Sequence, residues 1–146
     1  MSGPTDPAEA HFDKGSWGWD LTQWRKLPLV WGFSDVWDEN FGGTADGVLY
    51  GRISSTPAAG QVFVLQGVSY TNCTEESDEV TLYLNRASGA WVVVAYAGPL
   101  ARFIPLLFTG MLVLGPGDTL VLWATGVNVG NDIRAGLVGY KMAIAE

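Results

Sequence analysis

The stretch Val80–Tyr96, VTLYLNRASGAWVVVAY, decides the fold class of this chain. In its first half, apolar residues alternate with polar or aromatic ones, which is the period of a strand with one buried face. Its second half, Trp91–Tyr96, is apolar or aromatic throughout and predicts a strand that is buried on both faces. Between the halves, Arg86–Ala90 contains Gly89, which can adopt the positive φ of a hairpin connection. The stretch therefore predicts an antiparallel pair of strands.

Further β-rich runs lie on both sides of this pair and are separated by glycine- and proline-containing turns. In Gly115–Asp118 (GPGD), proline sets φ and the following glycine supplies a positive φ. Pro105 confines the run that contains it to a sheet edge or a bulge. The predicted strands are Gly47–Ser54, Gln61–Thr71, Val80–Asn85, Trp91–Tyr96, Phe103–Phe108, Met111–Leu114, Leu120–Ala124 and Ile133–Ile144. Their spacing predicts an all-β fold, an antiparallel β-sandwich or jelly roll of about seven or eight short strands.

The composition supports a single turn-rich domain. The chain has 146 residues, of which 48% are hydrophobic and 16% charged, so it is long enough to bury a core and too apolar to be disordered. Its 19 glycines and 7 prolines argue against a helical bundle. Cys73 is the only cysteine, which excludes an intrachain disulfide.

The charge balance argues against nucleic-acid and membrane partners. Eight Lys and Arg residues stand against 15 Asp and Glu residues, a net charge of −7, and the one adjacent basic pair is Arg25-Lys26. Such a chain is repelled by phosphate backbones and by anionic lipid surfaces. The N-terminus shows no signal-peptide pattern, and the longest apolar stretch, Leu100–Leu114, is interrupted by Arg102 and Pro105. We expect no nucleic acid and no membrane as partner, and synthesis in a cytoplasm.

The sequence shows no catalytic or metal-binding pattern. The only histidine, His11, lies in a polar N-terminal stretch, and one histidine with one cysteine cannot form a closed zinc site. The acidic run Glu75–Glu79 lacks the ligand spacing and the glycine of a calcium loop and is typical of a solvated turn. Asp118 and Asp132 lie in predicted turns, where aspartate is favoured for its backbone hydrogen bonds. We therefore expect a protein that is not an enzyme and that holds no cofactor and no metal.

Tryptophan is concentrated at the start of the chain. Five of the 7 tryptophans lie between Trp17 and Trp37, and the segment Ser16–Phe33, SWGWDLTQWRKLPLVWGF, has neither the period of a strand nor that of a helix. Asp35–Asn40 is compatible with a short helical turn. The sequence is therefore divided into an N-terminal arm, residues 1–46, which is aromatic-rich with little regular structure, and a β-sandwich domain, residues 47–146.

The arm has the composition of a binding element, because Trp and Arg are enriched in interface hot spots and aromatic rings bury large areas. Three roles remain open: the arm packs on its own sandwich, it anchors the protein to another molecule, or it offers a stacking platform for carbohydrate. The first two roles are compatible. The candidate partner-binding residues are Trp17, Trp19, Trp24, Arg25, Lys26, Trp31, Phe33 and Trp37.

Several segments resemble a type of small β-sandwich protein found in the virions of tailed bacteriophages. The segments that carry this resemblance are the strand Gln61–Asn72, the strand start Val80–Leu84, the turn Leu112–Leu120 and the closing strand Gly136–Met142. In addition, Trp17–Asp20 with Trp24–Lys26 resembles an N-terminal G-W-D…W-R-K segment of phage virion proteins. The motifs are structural, and none of them is catalytic.

The resemblance implies a virion structural component with a sandwich or jelly-roll domain. Such proteins decorate or cement capsids, or serve as adaptor and fibre-attachment pieces of the tail, and they commonly act as trimers or higher symmetric assemblies. The short chain favours capsid decoration, with the major capsid protein as partner and the virion as location. Tail proteins are the alternative partners, and a carbohydrate-binding receptor-recognition module is the alternative from another class.

Overall fold

The computed structural model describes the backbone of residues 17–19, 24–26 and 30–145 and the side chains of residues 31–144. Within these residues the regular structure is β throughout, and none of it is a helix long and apolar enough to cross a membrane. The strands in chain order are β1 (Trp17–Trp19), β2 (Trp24–Lys26), β3 (Val30–Asn40), β4 (Gly43–Thr44), β5 (Leu49–Ile53), β6 (Gln61–Asn72), β7 (Glu79–Asn85), β8 (Trp91–Ala97), β9 (Leu106–Leu114), β10 (Thr119–Thr125) and β11 (Asp132–Ala145).

Nine of these strands form two antiparallel sheets. The four-stranded sheet has the order β5-β10-β7-β8, and the five-stranded sheet has the order β3-β11-β6-β9, with β4 also paired to β11. β1 and β2 form a separate antiparallel pair in which Trp17 lies opposite Lys26. β5 and β8 are therefore the edges of one sheet, while β9 and β3 are the edges of the other.

The strand pairs are nested like those of a folded ribbon. β7 pairs with β8, and outward along the chain β6 pairs with β9, β5 with β10 and β3 with β11. Eight strands that are paired in this way and divided between two facing sheets form a jelly roll. The predicted all-β antiparallel sandwich is thus confirmed, and its connections are those of the jelly roll.

The core lies between the two sheets. Trp37 on β3 is 1% exposed, and its ring centroid lies 4.8 Å from that of Phe63 on β6. Tyr70 is also fully buried; burial raises its pKa, and its hydroxyl shares a hydrogen bond of 2.8 Å with the Ser77 hydroxyl, which opposes that rise. The largest buried aliphatic side chains are Leu65, Leu82, Leu84, Leu114, Leu120, Leu122 and Ile133. Both sheets contribute to this set, so each sheet covers the apolar inner face of the other.

Residues 30–46 belong to the sandwich rather than to an arm. β3 pairs with β11 along its whole length, and Phe41 and Ala45 are buried in the core. The predicted boundary after residue 46 is therefore wrong for residues 30–46, and the helical turn predicted at Asp35–Asn40 is part of a strand. The register of β3 shifts opposite Lys141/Met142, and this irregularity breaks the alternation that a sequence pattern needs. The rest of the predicted arm, apart from β1 and β2, lies outside the described residues.

Two other strand predictions differ from the structure. Trp91–Tyr96 was expected to be buried on both faces, but β8 is an edge strand whose outward side chains are exposed. Phe103–Phe108 and Met111–Leu114 were expected as two strands, but the first begins only after Pro105 and continues into the second as β9. β9 is an edge strand, as Pro105 predicted, and it carries a register shift opposite Leu65/Gly67.

The turn between β9 and β10 is held by one carboxylate. Asp118 accepts hydrogen bonds from the Gly115 N–H at 2.8 Å, the Ala87 N–H at 2.8 Å and the Arg86 guanidinium at 2.7 Å. Burial raises the pKa of Asp118, but these hydrogen bonds and the charge of Arg86 outweigh it and hold the pKa below its ordinary value. Gly117 has a φ of +81°, as the turn sequence predicted. The carboxylate therefore joins the β7–β8 connection to the β9–β10 connection.

Candidate interaction surfaces

The structure separates the sequence-predicted partner-binding residues into three groups. Trp31 and Phe33 are exposed on β3, and Phe33 keeps 67% of its surface accessible. Trp37 lies four residues after Phe33, beyond the register shift of β3, and is buried in the core. Its prediction as a partner-binding residue is therefore wrong. The side chains of Trp17, Trp19, Trp24, Arg25 and Lys26, which β1 and β2 carry, lie outside the described residues.

Trp31 and Phe33 form part of an apolar surface on the outside of the five-stranded sheet. In the register of this sheet, Val36 faces Tyr140, Tyr140 faces Val64, and Val64 faces Val113. The apolar row therefore crosses the sheet from edge to edge, and Val64 at its centre is covered by its neighbours. We call this surface the five-stranded outer face; its members are Trp31, Phe33, Val36, Leu107, Val113, Val138 and Tyr140.

Aromatic contacts and glycines shape the five-stranded outer face. The Phe33 and Tyr140 rings lie 6.3 Å apart at a tilt of 43°, which is within the range of favourable aromatic pairs. Next to them, Gly67 and Gly136 leave a depression of about 330 Å³ beside Val138 and Leu107. Because neither glycine has a side chain, the depression stays open. An apolar side chain from another molecule would fit it.

A second apolar surface lies on the outside of the four-stranded sheet and was missed by the sequence reasoning. Trp91 and Tyr83 pack edge to face, with ring centroids 5.6 Å apart and planes at 83°. Trp123 on β10 lies beside Thr81 on β7 in the sheet register. We call this surface the aromatic shelf. Its members are Leu49, Thr81, Tyr83, Trp91, Trp123 and Tyr96, which lies opposite Thr81 in the sheet register.

The aromatic shelf is concave and has polar groups on one side. A depression of about 420 Å³ lies over it, and Glu79 and Thr125 line it together with the rings. Glu79 and Thr125 are direct partners across β7 and β10. The negative charge of Glu79 raises the pKa of the Tyr96 phenol. The shelf therefore combines exposed ring faces with a carboxylate and a hydroxyl within one depression.

One feature of the sequence could have indicated the residues of the aromatic shelf. Trp91, Val93 and Tyr96 project outward from an edge strand, and Thr81 and Tyr83 project from its partner. Aromatic residues on the outward side of an edge strand mark a candidate binding surface. The sequence shows the aromatic residues, but the edge position of β8 is known only from the sheet order. In residues 31–144, groups of three or more His, Cys, Asp or Glu side chains that would suit a metal ion are not found.

Comparison with known proteins gives few matches. No protein-family model matches the sequence, and no curated protein matches it significantly. Among solved structures, two chains from structures of infectious bursal disease virus, of the Gt and Gx strains, are similar to it at 16% and 10% sequence identity. The Gt alignment covers 98% of this chain and 41% of the viral chain at a TM-score of 0.35; the Gx alignment covers 87% and 35% at a TM-score of 0.36. The chain thus spans about two fifths or less of the viral chains it matches, and superpositions at these scores do not establish a shared fold.

Proposed function

We propose that this protein is a bacteriophage virion structural protein, a capsid decoration or cement protein that catalyses no reaction. It binds neighbouring virion proteins through residues 1–29 and the five-stranded outer face. Jelly rolls occur in viral capsid domains, in lectins and in cupins, so the fold alone does not choose among these functions. The proposal depends instead on a surface.

The observation that carries the proposal is the exposure of Trp31 and Phe33 within the five-stranded outer face. Contiguous apolar patches of this kind on soluble proteins mark interaction sites, since exposing them to water costs free energy. The face begins at β3, directly after the segment that holds Trp17, Trp19, Trp24 and the Arg25-Lys26 pair. Tryptophan and arginine are the residues most enriched in hot spots of protein interfaces.

The proposed partner is the major capsid protein, and the protein itself is a symmetric oligomer, a trimer. A lattice of identical subunits offers the same contact many times, so binding of an oligomer is strengthened by multivalency without any new contact. The net charge of −7 keeps such an oligomer soluble and repels it from nucleic acid. The protein is made in the host cytoplasm and located in the virion.

Deletion of residues 2–29 tests the proposed anchor. A deletion through residue 40 would remove β3 with Trp37 and destroy the core, so the shorter deletion is the informative variant. We expect the truncated protein to keep its β circular dichroism and to be missing from purified particles, measured as copies per particle by quantitative mass spectrometry. The matched control Phe103→Ala removes an exposed ring from the loop before β9 and should be incorporated normally. A normal copy number for the truncated protein would overturn the anchor.

The position on the particle distinguishes capsid decoration from the tail-adaptor alternative. Electron microscopy of particles labelled with antibody against this protein is expected to place the label over the capsid shell. Label confined to the tail or to the head-tail junction would replace decoration by the adaptor function. Absence of the protein from washed particles would refute a virion role altogether.

A further inference from the structure

We propose that the aromatic shelf binds a neutral carbohydrate, with one or two sugar rings seated in the depression over Trp91 and Trp123. The shelf lies on the opposite sheet from the five-stranded outer face, so this inference stands independently of the proposed function. It assigns a ligand to a surface that the anchoring of the protein does not use.

Trp91 gives the aromatic shelf a ring that is both fixed and exposed. Trp91 keeps 54% of its surface accessible although it is a large aromatic residue. Its edge-to-face contact with Tyr83, at 83°, fixes the ring without covering both of its faces. A sugar ring has apolar C–H faces and hydroxyl groups around its edge, so it stacks on a fixed aromatic face and leaves its hydroxyls free for hydrogen bonds.

Two polar side chains line the same depression. Glu79 and Thr125 face each other across β7 and β10 and line the depression beside the aromatic rings. A carboxylate that is buried by an apolar protein surface loses its hydration without compensation. Sugar hydroxyls, in contrast, donate hydrogen bonds to a carboxylate and exchange them with a threonine hydroxyl. The combination thus favours a polyhydroxylated ligand over an apolar protein segment.

The charge and the size of the depression further restrict the class of ligand. Neither lysine nor arginine is among the described residues that line the depression, and the chain as a whole carries a net charge of −7. Both facts disfavour phosphorylated, sulfated or sialylated ligands. The volume of about 420 Å³ lies at the small end of the range of about 300–1,000 Å³ that is typical of ligand pockets. A short neutral glycan meets all of these conditions.

A glycan array with neutral and sialylated oligosaccharides tests the proposal on the full-length protein. We expect binding to neutral members, and affinity for the best of them, measured by calorimetric titration, to fall at least about tenfold in Trp91→Ala. Phe33→Ala is the matched control, because it removes an exposed ring from the other sheet, and it should bind like the wild type. Glu79→Gln keeps the size of the side chain and should weaken binding as well, so the proposal does not depend on one variant.

Four outcomes would overturn the proposal. They are no binding to any glycan, preference for sialylated glycans, full binding by both Trp91→Ala and Glu79→Gln, and equal loss in Phe33→Ala. A change of oligomer size in Trp91→Ala, measured by light scattering and without glycan binding, would instead identify the shelf as a contact between copies of this chain. Particle incorporation of Trp91→Ala should remain normal, so failure here and failure of the virion anchor are separable.

Discussion

Trp37 and Phe33 lie four residues apart on one strand and have opposite roles. Trp37 packs against Phe63 between the sheets, whereas Phe33 faces outward beside Tyr140. Trp37→Ala should lower the free energy of unfolding by about 3–5 kcal/mol, because it leaves a large cavity in the core. Phe33→Ala should change it by less than about 0.5 kcal/mol. Chemical denaturation of both variants measures the difference, and equal losses would show that the two rings are not on opposite faces.

Asp118 gives the molecule an acid-sensitive contact. Its folded pKa lies below the ordinary value of 3.8, so the carboxylate stabilises the fold above that pH and loses this contribution as the pH falls through the folded pKa. Asp118→Asn should cost about 1.5–3 kcal/mol of unfolding free energy at neutral pH, and the difference from the wild type should shrink as the medium becomes more acidic than pH 3.8.

Asp132→Asn is the control for this pH dependence. The Asp132 carboxylate lies 3.5 Å from the Arg134 guanidinium, and both side chains are exposed. Such a pair contributes little, so the variant should follow the wild-type stability curve within about 0.5 kcal/mol. Parallel thermal unfolding curves between pH 2 and pH 7 measure both variants; a loss in Asp118→Asn that does not depend on pH would contradict the assignment to the carboxylate.

At the scale of elements, the strands in the interior of the sheets were predictable. The strand predicted at Val80–Asn85 differs from β7 by one residue, and Gln61–Thr71 differs from β6 by one residue. The errors fall on edge strands: β3, whose sequence predicts irregular chain, and β8, whose sequence predicts burial on both faces. Edge position depends on pairing between residues that are far apart in the chain, and a local pattern does not contain that information.

The dependence on long-range strand pairing also explains which candidate site residues could be identified from the sequence. The concentration of tryptophan near the start of the chain predicts Trp31 and Phe33 as partner-binding residues. Trp37 was indistinguishable from them in sequence, since the bulge that turns it inward is set by the pairing of β3 with β11. The aromatic shelf needed the sheet order as well, because its members come from β5, β7, β8 and β10.

The sheet order also predicts which strands open last. β11 is paired on both sides, with β6 on one and with β3 and β4 on the other, whereas β9 is paired only with β6. Amide hydrogen exchange, followed by mass spectrometry, should be slowest in the strands that are paired on both sides, β11 among them, and should there reflect global unfolding. Protection of β9 equal to that of β11 would indicate that another molecule covers this edge.

At the scale of the whole molecule, the jelly roll presents two different exposed faces on opposite sides of one core. The five-stranded outer face is largely apolar, while the aromatic shelf combines rings with Glu79 and Thr125. Since the outer faces of the two sheets point in opposite directions, both surfaces are accessible at the same time. A protein that is held on a particle by one face thereby keeps the other face turned to the surroundings.

The pairing of the first and last sandwich strands has a practical consequence. Val30 lies opposite Ala145, so the chain enters and leaves the sandwich at neighbouring positions, about 5 Å apart across one strand spacing. A linker of a few residues can therefore bridge them, which makes the domain suitable for circular permutation with new termini at the Arg86–Ala90 hairpin. By the same geometry, cargo fused after Ala145 would emerge beside Val30, whereas cargo at the permuted termini would emerge at the connection between β7 and β8. Such a permutant would lack residues 1–29, so it would separate the contribution of the five-stranded outer face from that of the proposed docking segment.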